Sequence, residues 1–525
     1  KNEGASPLVF IVTGKVVFPL KRRVIQLIIM IISVILLVGL LFWLDVLIPV
    51  LIGIAIVAPL VVGWQILFDQ VQPQGKLAWL LTVFFIPFIG ALAWVMFGRT
   101  PRRHRRFKRT SSEIRMLRQA IESEKIETSP DIVSTYPLTR TLEKLGASGA
   151  DAHTSTTLLV NGEEKFEALL DAINRATDHI HIQYYLFRTD EISLKVRDAL
   201  IQKSNENVIV RFLYDGLGSQ EIGEDFIQPL RESRVHVQAF DPVLHPYLVF
   251  NANFRNHQKL IVVDGRIALT GGLNVGDEYL GKNEKLGFWR DTHLRLEGPL
   301  VRELQQLFVE NWLYAGQGTI DETWDLFADE EHLSQYFVSE PKEQNGATQL
   351  LVTSPGKDVS IRDGLMRLLM EAKESIWLTT PYLVPPPELL AILEVAGRSG
   401  IDVRIVVPGK GDEWFSFHAT EYYFEQLLKR NIKIYKYNRH FIHAKTLLID
   451  GKVALVGSAN FDFRSMFLNH EMMIAQFDTT SIQQLHEAFL KDFEESILID
   501  WAVLRKKTTG KRFVEAFCHI FSPLL

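Results

Sequence analysis

The hydrophobic and polar positions of this chain follow two regimes. From Val24 to Phe68 only Gln26, Ser33, Asp45 and Gln65 interrupt an apolar run. A bilayer-spanning helix takes about 20 apolar residues, so the run predicts two helices with a break at Asp45. A third apolar run, Leu77 to Phe97, follows the polar loop DQVQPQGK and contains Pro87 and Gly90, which predict a kink or a re-entrant turn. Trp43, Trp64, Trp79 and Trp94 lie near the ends of these runs, where interfacial anchors sit. Residues 1–110 are therefore expected to form a membrane anchor of two to three apolar helices.

Beyond residue 110 the pattern becomes that of a globular α/β chain. Residues 111–150 are polar with helical spacing and read as a connector. HIHIQYYLF (179–187) and VIVRFLYDG (208–216) are strand-like, with a helical stretch at 191–205 between them. SIWLTTPYLV (375–384) and IDVRIVVPG (401–409) repeat that order around a helical stretch at 387–398. Strand–helix–strand alternation predicts mixed sheets flanked by helices. The expected organisation is a first lobe at 151–330, a linker at 331–350, a second lobe at 351–500 and a basic amphipathic tail at 501–525.

One phrase ends the motif series of each lobe: HQKLIVVDGRIALTGGLN at 257–274 and HAKTLLIDGKVALVGSAN at 443–460. Each copy is two β-rich runs joined by Asp-Gly, a hairpin signal. Residues two apart on a strand share a face, so His257 projects with Lys259 and His443 with Lys445. A two-residue turn places His257 opposite Gly272 and His443 opposite Ser458, small residues that leave room for a ligand. Asn274 and Asn460 follow with amide donors. Asp264 and Asp450 sit at the turns, more than about 20 Å along the strand from their histidines, and read from spacing as turn residues.

A catalytic imidazole needs an acceptor on its second nitrogen. Asp291 in GFWRDTHL and Glu471 in FLNHEMMI occupy matching places downstream of the two phrases and are expected to orient His257 and His443. His245, His418 and His440 lack such a frame and read as structural. The duplicated frame predicts one site between two lobes related by a pseudo-two-fold axis. Two lysines and two asparagines suit an anionic phosphoryl group. One histidine attacks phosphorus and the other serves as acid and base.

The formal charge of −5 argues against a broad nucleic-acid-binding face. Cys518 is the one cysteine, so no intramolecular disulfide forms. Neither a cysteine cluster nor an acidic cage accompanies the phrases, and no metal or other cofactor is expected. Lys21, Arg22 and Arg23 precede the apolar runs, and a larger cluster from Arg99 to Arg109 follows them; the larger cluster predicts cytoplasmic lobes.

Both phrases match the HxK(x4)D(x6)G-G/S-x-N signature, so the chain resembles the phospholipase D superfamily. The matching residues are His257, Lys259, Asp264, Gly271, Gly272 and Asn274, then His443, Lys445, Asp450, Gly457, Ser458 and Asn460. Within it, FRNHQKLIVVDGR, FWRDTHLRLEGPLV, TTPYLVPP, NFDFRSMFLNHEM and the closing FSPLL are most similar to the bacterial cardiolipin synthases. The resemblance implies two phospholipase D-like lobes behind N-terminal transmembrane helices, and a multi-pass protein of the bacterial cell membrane. It implies phosphatidyl transfer between two phosphatidylglycerol molecules, giving cardiolipin and glycerol through a phosphohistidine. It places Asp264 and Asp450 with the histidines and lysines in the catalytic set, and makes His257 the nucleophile. A hydrolytic phospholipase D and a phosphatidylserine synthase are the alternatives.

Overall fold

The computed structural model describes residues 11–12, 15–16, 22–68, 73–98, 114–121, 125–242, 254–284, 287–316, 336–338, 340–343, 345–355, 360–438 and 440–522. The basic cluster from Arg99 to Arg109, Lys21 and His245 lie outside them. The chain separates into two compact units, Lys1–Trp94 and Val95–Leu525.

In the first unit one continuous helix, Arg22–Phe68, runs through Asp45, Pro49 and Pro59. The break expected at Asp45 is absent. One acidic residue costs a helix interior only about 0.7 kcal/mol, and no cluster of turn residues surrounds this exposed aspartate. Within the helix, Leu47–Phe68 is long and apolar enough to cross a membrane, with mean hydropathy 2.5; it is the one such stretch among the described residues. The third run divides into helices Pro73–Phe85 and Pro87–Ala93, followed by a π-helical turn, Trp94–Gly98. Pro87 opens its helix, where a missing N–H costs nothing.

The second unit holds two sheets of the same plan. From edge to edge the first runs Ser155–Val160, Thr292–Glu297, Ile267–Gly271, Leu260–Val263, His179–Tyr184, Ile209–Asp215 and His236–Phe240. The other runs Ala347–Thr353, Glu471–Phe477, Val453–Gly457, Thr446–Ile449, Ser375–Thr379, Asp402–Pro408 and Lys433–Tyr437, with Ser496–Leu498 added at its edge. In both, the last two crossovers are parallel and carry helices, Glu191–Asn205 and Glu224–Glu232 in the first lobe. The remaining pairings are antiparallel.

The lobes share a core. Leu158, Leu260 and Leu294 of the first pack in one cluster with Leu350, Trp377 and Ile474 of the second, around Leu304, Phe308 and Trp312 of the helix Leu300–Ala315. The stretch expected as a connector enters these cores too, through Leu117 and Leu142. Burial of this much apolar surface fixes how one lobe sits on the other, and so fixes any site that needs both.

Candidate active site

His257 and Lys259 immediately precede the strand Leu260–Val263, and His443 and Lys445 immediately precede Thr446–Ile449. The hairpin register differs by one from a two-residue turn: Val263 pairs with Ile267 and Ile449 with Val453. Asp264 and Gly265 both adopt positive φ, 52° and 62°, as do Asp450 and Gly451 at 51° and 64°. Glycine and aspartate tolerate that left-handed region where bulkier residues do not.

The two aspartates of the signature act at those turns. Asp264 accepts hydrogen bonds from the backbone N–H groups of Thr177, Asp178 and His179, each at 2.9 Å, and from the Thr177 hydroxyl. Asp450 accepts from the N–H groups of Lys373, Glu374 and Ser375 at 2.8–2.9 Å. Each carboxylate thus pins the start of the neighbouring central strand, far along the chain from the histidine. Asp264→Asn is expected to lower stability by about 1–3 kcal/mol while leaving turnover per folded molecule near the parent value. Thermal melting and activity measured on the same preparation check this; a collapse of activity at unchanged melting temperature would put Asp264 back in the chemistry.

The orienting carboxylates pair crosswise. His257 Nδ1–H donates to Glu471 at 2.9 Å (Oε1) and 3.1 Å (Oε2). His443 Nδ1–H donates to Asp291 Oδ2 at 2.8 Å. Within its own lobe, Asp291 immediately precedes the strand that lies two strands from that of His257, about 10 Å away at ordinary strand spacing. Glu471 opens the strand that lies two strands from that of His443. In-lobe pairing is therefore out of reach, and the facing lobe supplies each acceptor.

The backbone makes the same exchange. His257 N–H donates to His470 C=O at 3.0 Å, and His443 N–H donates to Arg290 C=O at 2.7 Å. The short strand His440–Ile442 pairs in parallel with Phe288–Arg290. Buried ion pairs anchor both crossings: Arg255 on Asp215 at 3.1 Å, and Arg290 on both oxygens of Asp492 at 2.8 and 2.9 Å. These arginines and their partners escaped the sequence analysis, although Arg255 and Arg290 stand within two residues of His257 and Asp291.

Gly272 and Ser458 do not leave space for a ligand, as their positions suggested; each meets a carboxylate. A Cβ on Gly272 would lie 2.1 Å from Asp291 Oδ1. Ser458 Oγ–H donates to Glu471 Oε2 at 2.5 Å. Ser465 and Asn469, which the sequence analysis also missed, donate to the other oxygen of Glu471 at 3.0 and 3.1 Å. The polar atoms of Asn274 are engaged as well: Oδ1 accepts from Leu186 N–H at 3.2 Å and Nδ2–H donates to the Tyr279 hydroxyl at 2.9 Å. Asn460 is buried, and its side-chain oxygen has no partner among the described residues.

Both lysines are buried beside their histidines. Lys259 Nζ donates to His257 C=O at 2.6 Å, and Lys445 Nζ donates to His443 C=O at 2.5 Å. Lys445 Nζ also lies 2.8 and 2.9 Å from the two ring nitrogens of His443. Among the described residues His257 has a hydrogen-bond partner on Nδ1 alone, leaving Nε2 free for a substrate. Burial pushes Lys259 well below the ordinary lysine value and Lys445 down to about 8. A third lysine, Lys165, is buried behind the site and donates to Asn274 C=O at 3.2 Å.

Burial pushes both imidazoles down to about 4, against the pull of Glu471 on His257 and of Asp291 on His443. Burial by itself would raise Glu471 and Asp291. The histidine hydrogen bonds and the nearby lysines outweigh it and hold both carboxyls below their usual range. The site near neutral pH is two neutral imidazoles held by two carboxylates and flanked by two lysines. Such a set can deliver a nucleophile and a proton shuttle to a phosphodiester. Among the described residues no three His, Cys, Asp or Glu side chains cluster as metal ligands.

Comparison with known proteins agrees with this architecture. A family model described as "Cardiolipin synthase, PLD-like domain" matches residues 169–312 and 365–493, and one described as "Phospholipase_D-nuclease N-terminal" matches 57–99. Cardiolipin synthase 1 of Bacillus anthracis is 41% identical over 469 residues, which cover 88% of this chain and 92% of that protein. The cardiolipin synthase of Geobacillus thermodenitrificans is 38% identical over 468 residues, covering 88% and 91%. The crystal structure of phosphatidylserine synthase from Haemophilus influenzae aligns with a TM-score of 0.55 at 14% identity over 74% of this chain and 100% of that one, a likeness of fold. With both lobes matched, and relatives of this identity aligned nearly end to end, the chain belongs to the phospholipase D-like cardiolipin synthase family.

Proposed function

We propose that this protein transfers a phosphatidyl group from one phosphatidylglycerol to another, yielding cardiolipin and glycerol. His257 Nε2 attacks the donor phosphorus, and the P–O bond to the terminal glycerol breaks. His443 gives its proton to the departing glycerol oxygen, leaving a phosphatidyl group on His257. The glycerol hydroxyl of a second phosphatidylglycerol then loses its proton to His443 and attacks phosphorus; the P–N bond breaks and cardiolipin leaves. Lys259 and Lys445 hold the phosphoryl oxygens, and the side-chain amides of Asn274 and Asn460 are the further donors assigned to that group.

The crosswise histidine–carboxylate pairs carry this reading, because they bring two imidazoles of fixed tautomer to one lobe interface. Burial keeps both neutral in the free enzyme, so His443 needs a proton before it can act as acid. The anionic phosphodiester supplies the reason to bind one: a negative charge beside an imidazole favours its protonated form. The unengaged Nε2 of His257 supports its assignment as nucleophile, and the ammonium of Lys445 along the ring edge of His443 supports the proton-handling role there.

Multi-pass anchoring by the N-terminal region and lobes on the cytoplasmic face complete the proposal. The apolar helices that follow Phe68 and the run of arginines after residue 98 support both. Purified protein given phosphatidylglycerol as the sole lipid is expected to produce cardiolipin and glycerol in equal amounts, measured by mass spectrometry. Phosphatidic acid as the sole product would mean a hydrolase. No product until a nucleotide-activated lipid and serine are added would mean a phosphatidylserine synthase.

A further inference from the structure

Two helices of the second unit meet beside the site. Trp414–Tyr422 packs on Thr509–Ile520 of the C-terminal tail, with the rings of Tyr422 and His519 stacked at 4.0 Å. The tail helix is apolar on two sides. Its inner side buries Cys518 in the core of the second lobe. Its outer side carries Phe513, Phe517 and Ile520 at helical spacing, which are 71%, 42% and 55% exposed. Trp414 and Phe415, 54% and 42% exposed, continue the patch on the partner helix. Contiguous exposed aromatic residues on a soluble lobe mark a surface that something apolar covers.

The rim tells what covers it. Arg505, Lys506, Lys507, Lys511 and Arg512 crowd the turn and first residues of the tail helix. Glu421, Glu425 and Glu515 neutralise part of that charge, through Lys511 at 2.8 Å, Arg512 at 3.9 Å and Lys507 at 2.7 Å. A cationic excess remains. A cavity of about 280 Å³ opens among Lys436, Lys506, Lys507 and Lys511, with Glu421 also in its lining. Cations beside exposed aromatic side chains are the composition of a helix lying in an anionic membrane surface.

The patch also adjoins the site. Asp412 and Glu413 lead directly into the Trp414 helix. Asp412 accepts from the Tyr382 hydroxyl at 2.6 Å, and its charge acts on both His443 and Lys445. We infer that the face formed by Trp414, Phe415, Phe513, Phe517 and Ile520 docks the second unit onto an anionic lipid bilayer, setting the histidines at headgroup level. This rests on the proposed lipid substrate for its purpose, but its first test needs no turnover.

The test uses the full chain with Cys518→Ser, reconstituted in vesicles of phosphatidylglycerol and phosphatidylcholine. An environment-sensitive fluorophore is attached at Phe517→Cys or, as control in the other lobe, at Glu206→Cys. Docking predicts blue-shifted emission at 517 that acyl-chain bromines quench several-fold more than at 206. Equal quenching at both positions overturns the inference. So does an emission shift at 517 that ignores brominated lipid and follows protein density, which would mean a second copy covers the face. As a second readout, Phe513→Asp with Phe517→Asp is expected to cut turnover of vesicular phosphatidylglycerol about tenfold while sparing turnover of detergent-dispersed lipid. Equal losses in both would mark a structural role and overturn it.

Discussion

Replacing His257 with alanine is expected to lower turnover by about five to six orders of magnitude, below detection, with melting temperature and circular dichroism near the parent values. The ring is partly reached by solvent and has one hydrogen-bond partner among the described residues, so its loss leaves a gap at the site rather than in the core. His443→Ala behaves differently. It lacks the proton for a glycerol leaving group, but a p-nitrophenyl phosphodiester needs none, since p-nitrophenolate leaves unprotonated. That variant is expected to release about one p-nitrophenol per active site in a burst and then stall, with the phosphoryl adduct on His257 located by mass spectrometry. A burst from His257→Ala with the adduct on His443 would exchange the two roles.

The carboxylates should sort by the opposite lobe. Glu471→Gln, although encoded in the second lobe, is expected to reproduce a defect of the first-lobe histidine: loss of the p-nitrophenol burst along with steady turnover. Asp291→Asn, encoded in the first lobe, should keep the burst and lose the second step. Losses of about two to four orders of magnitude are expected for the impaired step in each case, the usual worth of positioned acid–base catalysis. The test is the pattern. If Glu471→Gln spares the burst and Asp291→Asn removes it, each carboxylate serves its own lobe and the crosswise hydrogen bonds have no catalytic meaning.

Much of this arrangement is legible in the residues themselves. The helices Glu191–Asn205 and Pro387–Arg398 fall where apolar periodicity and flanking turns place them, because local pattern decides them. The hairpins are equally local, but their register is not. The two positive-φ residues at each turn and the return bond from Arg266 N–H to Val263 C=O leave three residues outside the ladder, which shifts every pairing by one. Asp291 and Glu471 are visible as candidates because they recur at matching places; their exchange is not, because it depends on how the lobes dock. Ser465 and Asn469 carry no signal in the sequence beyond being polar residues in an aromatic segment. The uninterrupted helix through Asp45 reflects a balance hydropathy alone does not give, between one tolerated acid and the missing turn chemistry.

The traded carboxylates also make assembly a gate on reactivity. A nascent chain that has completed only its first half holds His257 without its acceptor and Asp291 without its donor, and so carries an inert half-site. A slight parting of the halves would unhook both rings together, because Glu471 and Asp291 leave on the same movement. Phosphoryl chemistry on this scaffold is thereby tied to complete closure, which arms both imidazoles at once.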